Sequence, residues 1–505
     1  MARLHLFSLL VTVGAVLADN CDVKPLVAKI RNVTYEGGRG ENRGVAVTIG
    51  DQVLGLRLST VLSNTRLRNP FDCVDVRNVV ACTGQAGGIY DPTEDTFERA
   101  HTPEEWDVLT IDAGPTDGTT ILQGYDNLTF DDAHVSLPRL PIEVWANSNR
   151  QNRSALGLGR ASSLLHRLLA ANLIPALPFS LDFGSRSELY PRNGQLILGG
   201  YNAARHHPAS GAARFNLSAF SAPAPCPLQV LLSDVILTDH VTGVATSLFD
   251  DPNLRLPACV DPLQNAFAFT PAMFAKWQRL TGWIPYDGSN YSAQLYPKRQ
   301  EDRMGTLTIK LAGGYESVIP HYELLSHERG NGTDGVYTVL NTSRVMAAVT
   351  GGWTDLGENV PVLGGVFLSR NYLVVDYPGN EFWLSPMGEE AGEDVKSFCQ
   401  EGSGGGGAGL GVKVGVPVGV GVGVLVVAAG LWYFWYHRPK TTTPARPAGG
   451  RPEEDVPLDT WPTEHTGTRE LPGERVVAPR ELNGEVEREL PGGRLETELN
   501  AEVER

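Results

Sequence analysis

The sequence predicts a mainly β ectodomain of two lobes, followed by one transmembrane helix and a disordered carboxyl-terminal tail. Three observations predict it. Short alternating apolar and polar runs, separated by Gly, Pro, Asn and Asp, fill residues 40 to 386. An uncharged apolar run then extends from Val414 to Tyr436. Beyond Arg438 the chain is rich in Pro, Thr, Glu and Arg and holds too few apolar residues to build a core.

At the amino terminus, Arg3 and His5 precede an apolar run, Leu6 to Leu17, that closes on the small-residue pattern Ala15-Val-Leu-Ala18. This pattern predicts a cleavable signal peptide over residues 1–18 and a mature chain starting near Asp19. The second apolar segment ends in Trp432-Tyr433-Phe434-Trp435-Tyr436, an aromatic belt of the kind found at the membrane interface, and the transmembrane helix is placed at 411–436. Arg438, Lys440, Arg446 and Arg451 follow with no acid before Glu453, so the tail, 437–505, is expected in the cytoplasm. All seven N-x-S/T sequons, at Asn32, Asn127, Asn152, Asn216, Asn290, Asn331 and Asn341, precede the span. Their one-sidedness predicts a glycosylated ectodomain that is extracellular or lumenal, on a plasma membrane or endomembrane of the secretory pathway.

The six cysteines, Cys21, Cys73, Cys82, Cys226, Cys259 and Cys399, all lie on that oxidising side, so disulfides are expected. Cys73 and Cys82 flank a short loop and form the first expected pair; the other four allow three pairings. No C-x-x-C or H-x-x-x-H spacing is present, so neither metal nor cofactor is expected, and His206-His207 reads as a solvated loop pair. A formal net charge of -16 argues against nucleic-acid binding.

Within the ectodomain, Val45–Ile49, Val53–Leu58, Leu228–Ile236 and Leu307–Leu311 alternate as half-buried strands, and the frequent turn residues predict antiparallel β rather than βαβ units. Two helices are expected. One follows Ser162-Ser163 and carries Leu164, Leu165, Leu168 and Leu169. The other starts at Thr270-Pro271, carries Phe274, Trp277 and Leu280 on one face, and stops at Gly282. The lobes are placed at 19–205 and 206–388. From 389 to 410 the chain turns acidic and then glycine-rich, which predicts a flexible stalk.

Ser59-Thr-Val-Leu-Ser-Asn64 follows a strand pair, and here the sequence resembles the amino-terminal lobe of the pepsin-type aspartic peptidases, whose motif is Asp-Thr-Gly-Ser-Ser-Asn. The resemblance continues in Gly88-Ile-Tyr-Asp-Pro-Thr93, Ala155-Leu-Gly-Leu-Gly159, Gln195-Leu-Ile-Leu-Gly-Gly-Tyr201 and Ala258-Cys-Val-Asp261. It is most specific in Pro361-Val-Leu-Gly-Gly-Val-Phe-Leu368, Asn371-Tyr-Leu-Val-Val-Asp376 and Phe382-Trp-Leu-Ser-Pro386. The resemblance implies a bilobal fold with a cleft between the lobes, and the arrangement of signal, ectodomain, span and tail looks like membrane-bound homologues of filamentous fungi.

Peptide hydrolysis in that family uses two carboxylates that share one proton around a water. By position they fall on Ser59 and Asp261, and a serine cannot hold that proton. Asp261 is followed by Pro262-Leu-Gln-Asn265 where the family has a hydroxyl residue and glycine, so a hydroxyl and an amide donor are expected to be missing; proline has no N–H. The flap segment Thr110–Gly118 contains no tyrosine, and Asp112 is its positional counterpart. Asp51 and Asp72 lie too far along the chain to stand in for the missing acid, and no histidine lies near Ser59 to activate it.

The expectation is therefore a type I membrane glycoprotein whose dyad, Ser59 and Asp261, is degenerate. It would serve binding, sensing or surface-structural roles, with a peptide or glycan as the cleft's candidate ligand. The alternative is an active membrane-bound aspartic endopeptidase working at acidic pH. Gly411, Gly415, Gly419 and Gly423 repeat every fourth residue, making the span a candidate for homodimerisation. In the tail, Arg469-Glu-Leu-Pro-Gly473, Arg480-Glu-Leu-Asn-Gly484 and Arg488-Glu-Leu-Pro-Gly492 form a loose repeat, either a docking element or compositional drift.

Overall fold

The computed structural model describes residues 22–399 apart from 36–39, 74–78, 94–95, 113–119, 147–153, 206–210, 218–225, 284–294, 298–302, 332–335, 352–359 and 388–391. The expected signal peptide, span, tail, Cys21, His206-His207, Asn152 and Asn290 lie outside the described residues. Among the described residues no helix is long and apolar enough to cross a membrane.

The architecture is mainly β. A 13-stranded sheet holds most of the first half of the chain, and an 8-stranded sheet holds Gln229–Thr238 to Val362–Leu363. The two sheets repeat one pattern. In the first, Gly40–Ile49 pairs antiparallel with Gln52–Ser59, which pairs parallel with Ala155–Gly157; that strand pairs antiparallel with Thr65–Arg68, which pairs parallel with Val135–Ala146. In the second, Gln229–Thr238, Leu256–Val260, Val362–Leu363, Phe267–Phe269 and Val349–Gly351 pair in the same order and the same senses. Ser59 ends the second strand of one pattern, and Asp261 directly follows the second strand of the other.

The expected strands form, but two features differ from the alternating, antiparallel picture. Leu54 to Ser59 are all buried because their strand is central and covered on both faces. Each sheet also contains parallel pairs, made by strands of two to four residues that cross over through long connections. Thr306–Leu311 alternates as expected.

Both expected helices are present with the expected caps. Ser162 accepts from the Leu165 amide ahead of Ser163–Ala170, whose buried leucines face the core. Thr270 caps Pro271–Thr281, and Gly282 closes that helix in the left-handed region, where glycine carries no Cβ penalty. Three further helices were not expected: Val79–Ala86, which has no acidic residue in its first turn and no basic residue in its last, and the single turns His321–Leu324 and Gly365–Leu368.

The second half of the chain returns to the first sheet. Ala213–Asn216, Asn371–Asp376 and Glu381–Pro386 extend it beyond Phe179–Asp182. One apolar core accordingly runs through both sheets, from Leu56, Ile142 and Leu165 to Val260, Trp277 and Leu307, rather than two separate cores.

Part of the segment expected to be a stalk, 389–410, is paired with the rest of the domain. Val395–Ser397 pairs with Gly200–Asn202, Asn202 Nδ2 donates to the Gly392 carbonyl at 3.1 Å, and the Ala203 amide donates to the Asp394 carbonyl at 2.7 Å. Phe398 packs against Tyr201, and Cys399 is disulfide-bonded. Residues 392–399, which read as linker, are thus held against Gly200–Asn202, with Glu393 and Asp394 themselves exposed just ahead of the strand.

Candidate functional site

The repeated pattern brings Ser59 and Asp261 together at the junction of the two sheets, both buried. Ser59 Oγ donates to Asp261 Oδ2 at 3.3 Å and accepts from the amides of Val61 (3.2 Å) and Leu62 (3.1 Å). Asp261 Oδ1 accepts from the Thr60 amide at 2.9 Å and from the Thr60 hydroxyl at 3.4 Å, while that hydroxyl also donates to the Val260 carbonyl at 2.7 Å. The amide donor expected to be lost at Pro262 is replaced one residue on: Leu263 N donates to Asp261 Oδ1 at 3.3 Å.

Among the described residues no cation pairs with Asp261. Burial therefore dominates and pushes its carboxyl up to about 6, against the opposing pull of the Thr60 and Leu263 amides and the Ser59 and Thr60 hydroxyls. The site is one carboxyl group facing one hydroxyl. Among the described residues it has no second acid to share a proton with Asp261 across a water.

The other candidate acids are placed elsewhere. Asp72 is buried against Arg68 Nε at 3.0 Å, and Asp51 is exposed at the opposite end of the Ser59 strand. Among the described residues no histidine hydrogen-bonds Ser59. Replacing Ser59 with alanine strips the Val61 and Leu62 amides of their acceptor, and Ser59→Ala is expected to cost about 1–3 kcal/mol in denaturant unfolding at neutral pH.

Asp112 lies against the Ser59 loop. Both its carboxylate oxygens accept from the Ser63 amide at 3.0 Å, and Oδ2 also accepts from the Asn64 amide at 2.8 Å. Asn64 Nδ2 in turn donates to the Thr110 carbonyl at 2.9 Å, and Asn64 Oδ1 accepts from Ser163 Oγ at 2.7 Å. The remainder of the flap segment, 113–118, lies outside the described residues.

Three residues that the sequence reading passed over complete this region. Arg66 and Glu143 are register partners on parallel strands, with Arg66 Nε 3.7 Å from Glu143 Oε2. The Arg66 guanidinium stacks over Trp145 at 3.6 Å, and Trp145 Nε1 donates to Glu143 at 3.0 Å. All three are buried. The signal available in the sequence was charge inside apolar strands, in Thr65-Arg-Leu-Arg68 and Ile142-Glu-Val-Trp145.

Cys73–Cys82 is bonded as expected, and of the three pairings open to the remaining cysteines the structure contains Cys226–Cys259. Asn32, Asn127 and Asn216 are exposed, Asn331 ends the strand Leu325–Asn331, and half-buried Asn341 accepts from the Ser343 amide (2.8 Å) and hydroxyl (2.6 Å). Among the described residues no group of His, Cys, Asp and Glu is placed to hold a metal ion.

No family model and no curated protein matches the chain. Among solved structures, an aspartic proteinase from Irpex lacteus is similar to it, with a TM-score of 0.47 and 16% identity, over 72% of this chain and 97% of that one. At that identity and score the likeness has no bearing on activity.

Proposed function

We propose that the ectodomain is a pepsin-like, two-lobed domain that no longer hydrolyses peptides, and that its cleft serves binding, sensing or surface-structural roles. The observation that carries this reading is Ser59. At the position facing Asp261 it supplies a hydroxyl already engaged by two amides and one carboxyl, where a two-acid mechanism needs a second carboxyl. The duplicated strand pattern supports the pepsin-like assignment, because it puts Ser59 and Asp261 at equivalent strand ends.

In this reading the domain stands on the extracellular or lumenal side of a single-span type I membrane glycoprotein. The one-sided sequons and the Val414–Tyr436 run support that topology, and the exposure of Asn32, Asn127 and Asn216 is compatible with glycan attachment. A peptide or glycan segment is the ligand class proposed for the cleft, and the glycine repeat in the span is proposed to support self-association. Acid-dependent, pepstatin-sensitive peptide cleavage by the purified full chain would replace this reading with an active endopeptidase; its absence supports the reading.

A further inference from the structure

Residues 185–192 form a short arm that leaves the first sheet after Phe179–Asp182 and returns to it at Gly194–Leu198. At its base the Ser185 and Arg192 amides donate to each other's carbonyls, at 2.9 and 3.1 Å. Ser187 Oγ accepts from the Leu189 and Tyr190 amides at 3.2 and 3.3 Å, which fixes the turn. Arg43 Nη2 donates to the Phe183 and Arg192 carbonyls at 3.0 and 2.8 Å, and buried Asp182 pairs with Arg192 at 2.5 Å and with Arg205 at 3.1 Å. The arm therefore holds its shape through its own polar contacts, with Leu189 and Tyr190 exposed at its tip.

Three residues of the arm meet the second half of the chain. With the Asn265 amide turned so that its oxygen faces the guanidinium groups, that oxygen accepts from Arg186 Nη1 at 2.7 Å and from Arg57 Nη1 at 3.3 Å. Asn265 belongs to the loop that follows Asp261, and Arg57 Nη1 also donates to the Leu263 carbonyl of this loop at 3.4 Å. Two residues on from Arg186, Glu188 Oε1 accepts from the His327 amide at 2.9 Å, and Oε2 lies 2.5 Å from His327 Nδ1. Arg329 Nη1 is 3.6 Å from the same carboxylate, and Tyr190 meets the Tyr322 ring edge-on with centroids 5.0 Å apart.

We propose that the 185–192 arm is a clasp that couples the Asp261 loop to the strand Leu325–Asn331, with Arg186 and Glu188 as its two positioning residues. A turn whose backbone is already fixed passes a displacement on rather than absorbing it, so loosening one grip loosens the other. The clasp links the buried site to a half-buried strand of the second half, and it stands whether or not the domain hydrolyses peptides.

Amide hydrogen exchange of the full chain tests the clasp, read on peptides covering 261–266 and 325–331, with 306–311 as the reference for global opening. Glu188→Ala is expected to speed exchange of 325–331 by about tenfold or more, because it removes charge-assisted hydrogen bonds. It is also expected to speed exchange of 261–266 by about threefold or more, although its partners His327 and Arg329 lie outside that loop. Arg186→Ala is expected to give the reverse order, with the larger change in 261–266. Glu188→Gln keeps an oxygen for the His327 amide and is expected to speed exchange of both segments less than Glu188→Ala does. Changes confined to 325–331 in Glu188→Ala and to 261–266 in Arg186→Ala would show two separate contacts and overturn the clasp. Equal acceleration of the reference strand would also overturn it, by showing global destabilisation in place of a local coupling.

Discussion

Asp261→Asn is expected to make the protein more stable at pH 7.5, by up to about 3 kcal/mol, and to flatten its stability between pH 4 and pH 7. Burial holds the Asp261 carboxyl at about 6, while an aspartate in the unfolded chain titrates near its ordinary value of about 3.9. Between those two values the folded state binds the extra proton, so the group's contribution is fully present below about pH 4 and is lost as pH rises through 6. The gap of about two pH units corresponds to about 3 kcal/mol. Asparagine keeps an oxygen for the Thr60 and Leu263 amides, turns an NH2 group towards Ser59, and never ionises. Other buried acids, such as Glu143 and Glu323, also respond to pH, so the informative quantity is the difference between the two proteins across the series. A natural chain that equals or exceeds the variant at pH 7.5 in denaturant unfolding would mean that Asp261 has a stabilising partner when ionised.

Gly364→Ala is expected to cost more than about 3 kcal/mol and to reduce the yield of folded protein. Gly364 has an ordinary extended backbone, with φ -88°, so backbone strain is not the reason. The cause is space: a Cβ there would overlap the carbonyl oxygens of Gln264 and Ala266, which belong to the loop following Asp261. Gly157 plays the matching part in the first sheet, where a Cβ would come within 2.8 Å of the Asn64 backbone in the loop following Ser59. Each loop that carries a site residue thus rests on a glycine at the end of the short strand beside it, Gly157 as its last residue and Gly364 directly after it. Backbone atoms cannot swing aside as a flexible side chain can, so the loop itself has to move. Near-natural stability of Gly364→Ala, measured as a denaturation midpoint, would show that the Asp261 loop is softer than its contacts imply.

What could be read from the sequence follows the range of the interactions involved. Alternation over five or more residues marked Gly40–Ile49, Gln52–Ser59, Gln229–Thr238 and Thr306–Leu311, and local capping chemistry marked Ser162, Thr270-Pro271 and Gly282. The strands of two or three residues, Ala155–Gly157, Phe267–Phe269 and Val362–Leu363, are too short for a period to register, and their pairing is set by partners far along the chain. Arg66 and Glu143 meet only because their strands pair in parallel, so each looked like an isolated charge in an apolar run. Ser59 and Asp261 were found by motif resemblance, and the fold brings them within hydrogen-bond reach; the Leu263 amide that serves Asp261 could not be foreseen, because it depends on how the chain turns after Pro262. Val395–Ser397 was read as linker because composition alone cannot distinguish a solvated linker from a three-residue strand that finds a partner in Gly200–Asn202.

The most direct measurement is peptide hydrolysis by the full chain from pH 3 to pH 7, with and without pepstatin, beside Asp261→Asn. The single-carboxyl site predicts no cleavage above the Asp261→Asn background at any pH, because Ser59 cannot take the place of the second acid. Pepstatin-sensitive cleavage that disappears in Asp261→Asn would contradict it and require another acid to act with Asp261.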